Sequence, residues 1–166
     1  RAQLLPLNLG GASSVEKQRA AFAQCVLASA VKLHEQHHSI DSISGKRVSF
    51  GLIRMANIEP LVDVALALFQ LGAPSGLHIH LCVYPSQFPL LVRSAIERQL
   101  DAALQRSQPD AVFSLPAIRA RLDRHAAPDQ LFIVLGSPVT EVGRDHDYDW
   151  AVVEPSSMRS IIQLAG

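Results

Sequence analysis

A chain of 166 residues can hold one ordinary domain with its own hydrophobic core and is too short for two of usual size. Hydrophobic residues make up 48% and charged residues 18%, a balance that excludes an intrinsically disordered chain. Lys and Arg total 15, as do Asp and Glu, which excludes a global positive field; any nucleic-acid contact must be a local patch.

Two cysteines, Cys25 and Cys82, with no secretory signal before them, argue against a disulfide framework or a four-ligand zinc site and fit a reducing cytoplasm. No apolar run approaches the roughly 20 residues that cross a bilayer, so a cytoplasmic chain with no membrane partner is expected.

Along the chain, residues 1–14 carry Leu4, Leu5, Leu7 and Leu9 around Pro6 and then a Gly10-Gly11 break, and read as an entering segment. Ser13 or Ser14 can cap a helix over residues 15–37, in which Phe22, Cys25, Val26 and Leu33 recur at helical spacing. His34, His37 and His38 fall near its end, where imidazolium favours the helix dipole. From Lys46 short apolar strands alternate with amphipathic helices. Strands are expected over residues 48–54, 79–83, 131–135 and 150–153, and helices over 59–71, 87–106, 115–124 and from Ser157 onward. Pro60 in the first turn of one helix and Gly72 just past its end are the expected start and stop. Leu131-Phe-Ile-Val-Leu135 has no polar alternate, which implies a strand buried on both faces. The whole reads as α/β: an open, mainly parallel sheet with helices on both faces, preceded by an N-terminal helix. Residues 1–45 form the approach and 46–166 the domain proper.

Chemistry in such a sheet collects in the loops beyond the strand C-termini, and the stretch from Ser137 to Asp149 (SPVTEVGRDHDYD) follows a buried strand directly. It offers a glycine for close backbone approach, a hydroxyl for a phosphate and carboxylates for ribose or arginine. Asp145, His146, Asp147 and Asp149 are too close in sequence to converge easily on a metal ion, and His80 with Cys82, on one face of a strand, are expected to be structural.

This stretch resembles motif V of superfamily-2 helicases, Thr-x-Val-x-Glu-x-Gly-x-Asp, with Ser137, Val139, Glu141, Gly143 and Asp145 at the matching places and serine keeping the hydroxyl. Gln163-Leu-Ala-Gly166 resembles the first half of motif VI, whose arginines are expected beyond the last residue. Three further stretches are similar to the CRISPR-associated helicase-nuclease of type I-F systems. They are Gly51-Leu-Ile-Arg-Met-Ala-Asn-Ile58, Ile79-His-Leu-Cys-Val-Tyr-Pro-Ser-Gln-Phe88, and the run from Asp147 to Gln163.

The resemblance implies a RecA-like fold, the second motor half of an ATP-dependent translocase on single-stranded DNA. It implies that Gly143, Asp145, Gln163 and Gly166 face ATP, and that Ser137, Arg54 and Ser86 face the DNA backbone. Partners implied are single-stranded DNA, a guide-RNA surveillance complex, the first RecA-like domain and nuclease domain of the same parent, and a CRISPR integrase. ATP and Mg belong to the parent. The sequence holds no phosphate loop of the Gly-x-x-x-x-Gly-Lys-[Ser/Thr] type, so no complete catalytic set, bound cofactor or metal is expected on this chain alone, and it is expected to be inactive. Two other readings stand beside it: a stand-alone nucleotide-binding regulatory module, and an interaction scaffold whose N-terminal helix docks a partner.

Overall fold

The computed structural model describes Gln3 and residues 14–105, 109–141 and 146–154. Helix α1 (Val15–His37) starts at Ser14, whose hydroxyl oxygen accepts from the Lys17 N–H at 3.3 Å. It leads through a two-residue strand β1 (Ser39–Ile40) into β2 (Arg47–Arg54), α2 (Ile58–Leu71), β3 (Leu77–Tyr84) and α3 (Leu90–Leu104). A 3-10 turn (Pro109–Ser114), α4 (Pro116–Arg124), β4 (Asp129–Gly136), a second 3-10 turn (Pro138–Glu141) and β5 (Trp150–Val153) complete the described chain. Among the described residues no helix is long and apolar enough to cross a membrane.

The strands run β1-β2-β4-β3, with β5 on the same side of β2 as β1. β1 pairs antiparallel with the start of β2, whereas β5 pairs parallel with its last four residues. β2, β4 and β3 are parallel and level: Arg54, Gly136 and Tyr84 are aligned at one end, and Arg47, Asp129 and Leu77 at the other. The open, mostly parallel sheet of a RecA-like α/β fold is therefore present as the sequence predicts.

Strict alternation divides the core. Leu131, Ile133 and Leu135 of β4 join Ile53, Trp150 and the buried faces of α1 and α2 on one side. Phe132 and Val134 join Val48, Phe50, Leu52, Tyr84 and the residues of α3 and α4 on the other. Gly51 faces the first cluster, where a Cβ would lie 2.1 Å from the Trp150 indole, so the ring occupies the space a side chain would fill.

Helix α3 begins at Leu90 and not at residue 87, because Pro89 forces the preceding residue out of helical backbone and stands itself as the N-cap. β1 is too short to leave a readable alternation. The helix expected from Ser157 lies outside the described residues.

His34 overturns the dipole reading. It is 1% exposed, with Nδ1 2.7 Å from the Ser49 hydroxyl and Nε2 3.1 Å from Asp129 Oδ1. The Trp150 indole N–H donates to the same hydroxyl at 3.0 Å, so the single Ser49 proton is left for His34 Nδ1, and Nε2–H donates to Asp129. Desolvation pulls the His34 pKa below its ordinary value, against the pull of Asp129. The imidazole is a neutral link between α1, β2, β4 and β5. Asp129 is held in turn by the Arg47 fork at 2.5 and 2.6 Å, which keeps its carboxyl below the usual range despite the desolvation that opposes this.

Candidate functional site

The level ends of β2, β4 and β3 bring three loops side by side at the C-terminal edge of the sheet. The one after β4 turns sharply: the Thr140 N–H and its hydroxyl both donate to the Ser137 carbonyl at 3.0 Å. This brings the Thr140 methyl over Gly136, where a Cβ would be 2.2 Å from it, so glycine at the strand end is what lets the turn fold back. The Ser137 side chain is held beneath the turn, 2% exposed, and its hydroxyl accepts from the Ser86 N–H at 3.2 Å. Ser86 is itself exposed in the loop after β3. Two of the residues expected on the DNA side are thus neighbours across strands β3 and β4.

Between these loops and the start of α2 lies a cleft of about 520 Å³, lined by 56–60, Ser86, Ser137 and Pro138. It opens to solvent beside the first turn of α2. Asn57, the N-cap of that helix, makes no side-chain cap bond. The first-turn amides, less the one that Pro60 lacks, therefore have no partner from their own cap, a setting that favours an anion. Glu59 in the same turn opposes it.

Arg54, expected on the DNA face, is 1% exposed and does not line the cleft. Its Nη1–H donates to the Glu154 carbonyl at 2.8 Å, the Glu154 N–H donates to the Arg54 carbonyl at 2.9 Å, and Glu154 Oε2 accepts from the Ala56 N–H at 2.8 Å. Arg54 and Glu154 together fasten the loop after β2 to the end of β5. Sequence reasoning missed Glu154 and Gly136 as supports of the site. For Gly136 a signal existed, a glycine directly between a buried strand and the motif; for Glu154 there was none, since its partners lie far away in sequence.

Behind the edge, the residues after motif V run back along the α3 side of the sheet. His146 Nε2 is 2.8 Å from Asp101 of α3, the Asp147 N–H donates to the Leu104 carbonyl at 2.9 Å, and Asp149 Oδ2 accepts from the Phe50 N–H at 2.6 Å. Tyr148, packed on the core between them, has its hydroxyl pKa pushed up by burial. His146 and Asp149 therefore have separate anchoring roles and do not converge as ligands. Gly143 and Asp145 of motif V, and Gln163 and Gly166 of the half motif VI, lie outside the described residues.

The sequence model of the family described as "CRISPR-associated nuclease/helicase Cas3, C-terminal" matches residues 47–166. The chain is 62% identical over 136 residues to the CRISPR-associated nuclease/helicase Cas3 subtype I-F/YPEST of Pseudomonas aeruginosa, covering 81% of this chain and 12% of that protein. It is 51% identical over 146 residues to the protein of the same description from Pectobacterium atrosepticum, covering 88% of this chain and 13% of that one. It thus spans about one eighth of the length of these relatives. The match over most of the chain agrees with the RecA-like sheet: the chain belongs to the family of the C-terminal helicase region of the CRISPR-associated nuclease/helicase Cas3.

Proposed function

We propose that this chain is the second RecA-like half of an ATP-driven translocase on single-stranded DNA, working in CRISPR interference inside a longer helicase-nuclease. The observation that supports this best is the joining of Ser86 to Ser137 beside the uncapped start of α2. It sets the exposed Ser86 and the first-turn amides of α2 on one cleft, with the Ser137 turn fixing the loop between them, the chemistry that grips a phosphate backbone without reading bases. In this reading Ser86, the Ser137 turn and the amides after Asn57 track the strand, and Arg54 stiffens the loop from behind. Gly143, Asp145, Gln163 and Gly166 face ATP held by the first motor domain, which supplies the phosphate loop and the magnesium ligand. Closure and opening of the two halves with each ATP move the strand, which the nuclease domain of the same protein cuts after a guide-RNA surveillance complex has exposed it. A CRISPR integrase is a further partner under this reading. The chain by itself does not hydrolyse ATP.

Kinetics of the full-length helicase carrying Ser137→Ala test the DNA side of the site. The expected result is a loss of DNA-stimulated ATP hydrolysis with nucleotide affinity retained. Equal losses in both would remove Ser137 from the DNA side.

A further inference from the structure

At the opposite end of the sheet from the cleft, three histidines meet. His78 and His80 are two apart on β3 and so share a face, and His125 follows the last turn of α4. One ring nitrogen from each lies within 4.8 Å of the others. The His78 ring stacks on His125 with centroids 3.5 Å apart, and the His80 ring meets both, at 4.6 and 5.3 Å.

We propose that His78, His80 and His125 form a binding site for a divalent transition-metal ion of the zinc type, with three imidazole ligands and one position left to water. Imidazole suits zinc, copper, nickel and cobalt, whereas magnesium and calcium take oxygen ligands, so the magnesium of an ATP site is not the ion for it.

The support around His80 is the second observation. Gln130, fully buried on β4, donates its amide N–H to the carbonyls of Ala127 at 2.7 Å and His125 at 3.4 Å, which turns its oxygen to His80 Nε2 at 2.8 Å. That oxygen can only accept, so His80 carries its proton on Nε2 and its lone pair on Nδ1. An outer carbonyl that fixes the tautomer of a ligating imidazole is a common support of histidine metal sites. The same amide anchors the loop that carries His125. Burial also favours the neutral form of two of the rings: the His80 pKa is pushed down to about 4 and that of His78 is lowered.

Two imidazole nitrogens on a tetrahedral ion lie about 3.4 Å apart, as bonds of roughly 2.0–2.1 Å require. Reaching that from the present spacing takes side-chain rotation, with the His78 and His125 rings leaving their stack to turn edge-on. His125 is only half-buried and lies just past the end of α4, outside helix and strand. The Arg121 guanidinium on α4 acts on His80 and Cys82 as a positive charge and lowers the affinity without occupying a ligand position.

The test uses the 166-residue chain without a polyhistidine tag, stripped with chelator and titrated at pH 7.5 with cobalt(II), whose visible absorption reports nitrogen ligation. One equivalent is expected to bind at micromolar metal and to be displaced by zinc. His78→Ala and His125→Ala should each weaken binding about 10-fold or more, and His37→Ala, on the exposed end of α1, should leave it unchanged. Zinc added to the unsubstituted chain should perturb the imidazole NMR signals of His78, His80 and His125 and not those of His34, a readout that holds even if a variant fails to fold. No cobalt band at stoichiometric metal, perturbation centred on other histidines, or loss of binding with His37→Ala would each overturn the proposal.

Discussion

The Ser86 backbone N–H donates to the Ser137 hydroxyl at 3.2 Å, and this one bond ties the loop after β3 to the turn after β4 at the C-terminal edge of the sheet. Ser137→Ala leaves that amide without its acceptor and removes no apolar contact. A destabilisation of about 1 kcal/mol is expected, with faster hydrogen exchange at the Ser86 amide and little change at the centre of β4. Unchanged exchange at Ser86 would mean that water replaces the hydroxyl at no cost.

Gly51→Ala should be among the most damaging single changes in the chain. The added Cβ meets the Trp150 ring at 2.1 Å between backbone of β2 and β5, so the indole must move and give up its bond to Ser49. A cost of about 3 kcal/mol is expected. Trp150 is the only tryptophan, so its emission should shift to the red as the ring leaves the core. A native spectrum with a native urea midpoint would contradict the packing described for β5.

The fold was legible where periodicity carries it. The run from Leu131 to Leu135 says by itself that both faces are covered, and Pro60 with Gly72 brackets α2. Pro89 was equally visible and fixes the start of α3, a signal that outweighs the apolar pattern before it. The site was legible only as far as its motif. Ser137 and Ser86 were singled out for separate reasons, but their bond follows from the register of β3 against β4, which no local pattern encodes. Arg54 looked like a charge at a strand end. Its buried place depends on Glu154, a hundred residues away, and the neutral state of His34 comes from burial beneath the sheet, which outweighs the pull of Asp129 brought to it from β4.

His34 makes stability depend on pH. Burial lowers its pKa beneath 6.5, so the unfolded chain takes up the proton first and the folded state loses ground as pH falls. The groups that face it are Ser49, Asp129 and His38, with Arg47 beyond Asp129. Its contribution is therefore complete above about pH 7.5 and is lost as pH drops through 6.5 towards the lowered folded value. Urea midpoints measured between pH 8 and 5 in chelator should fall more steeply for the unsubstituted chain than for His34→Gln, which is less stable at pH 8 but lacks this titration. Parallel curves would show that His34 does not titrate in this range.

With balanced charge and no basic side chain lining the cleft, single-stranded DNA is expected to bind this chain weakly. Neutralising one or two phosphates gives a slope of log K against log salt of only about −0.7 to −1.4. Titrations by fluorescence anisotropy between 50 and 200 mM salt check this, and a steep slope would point to a basic track outside the cleft.

Phosphate release in the presence of single-stranded DNA shows whether this domain supplies one half of a shared ATP site. The proteins to compare are this chain, the full-length helicase-nuclease, and the full-length protein with Gln163→Ala. Expected are no hydrolysis by the chain, DNA-dependent hydrolysis by the full-length protein, and a fall of about 100-fold or more when Gln163 is replaced, in keeping with the loss of a group that stabilises the transition state. Turnover by this chain alone, or full activity with Gln163→Ala, would contradict it.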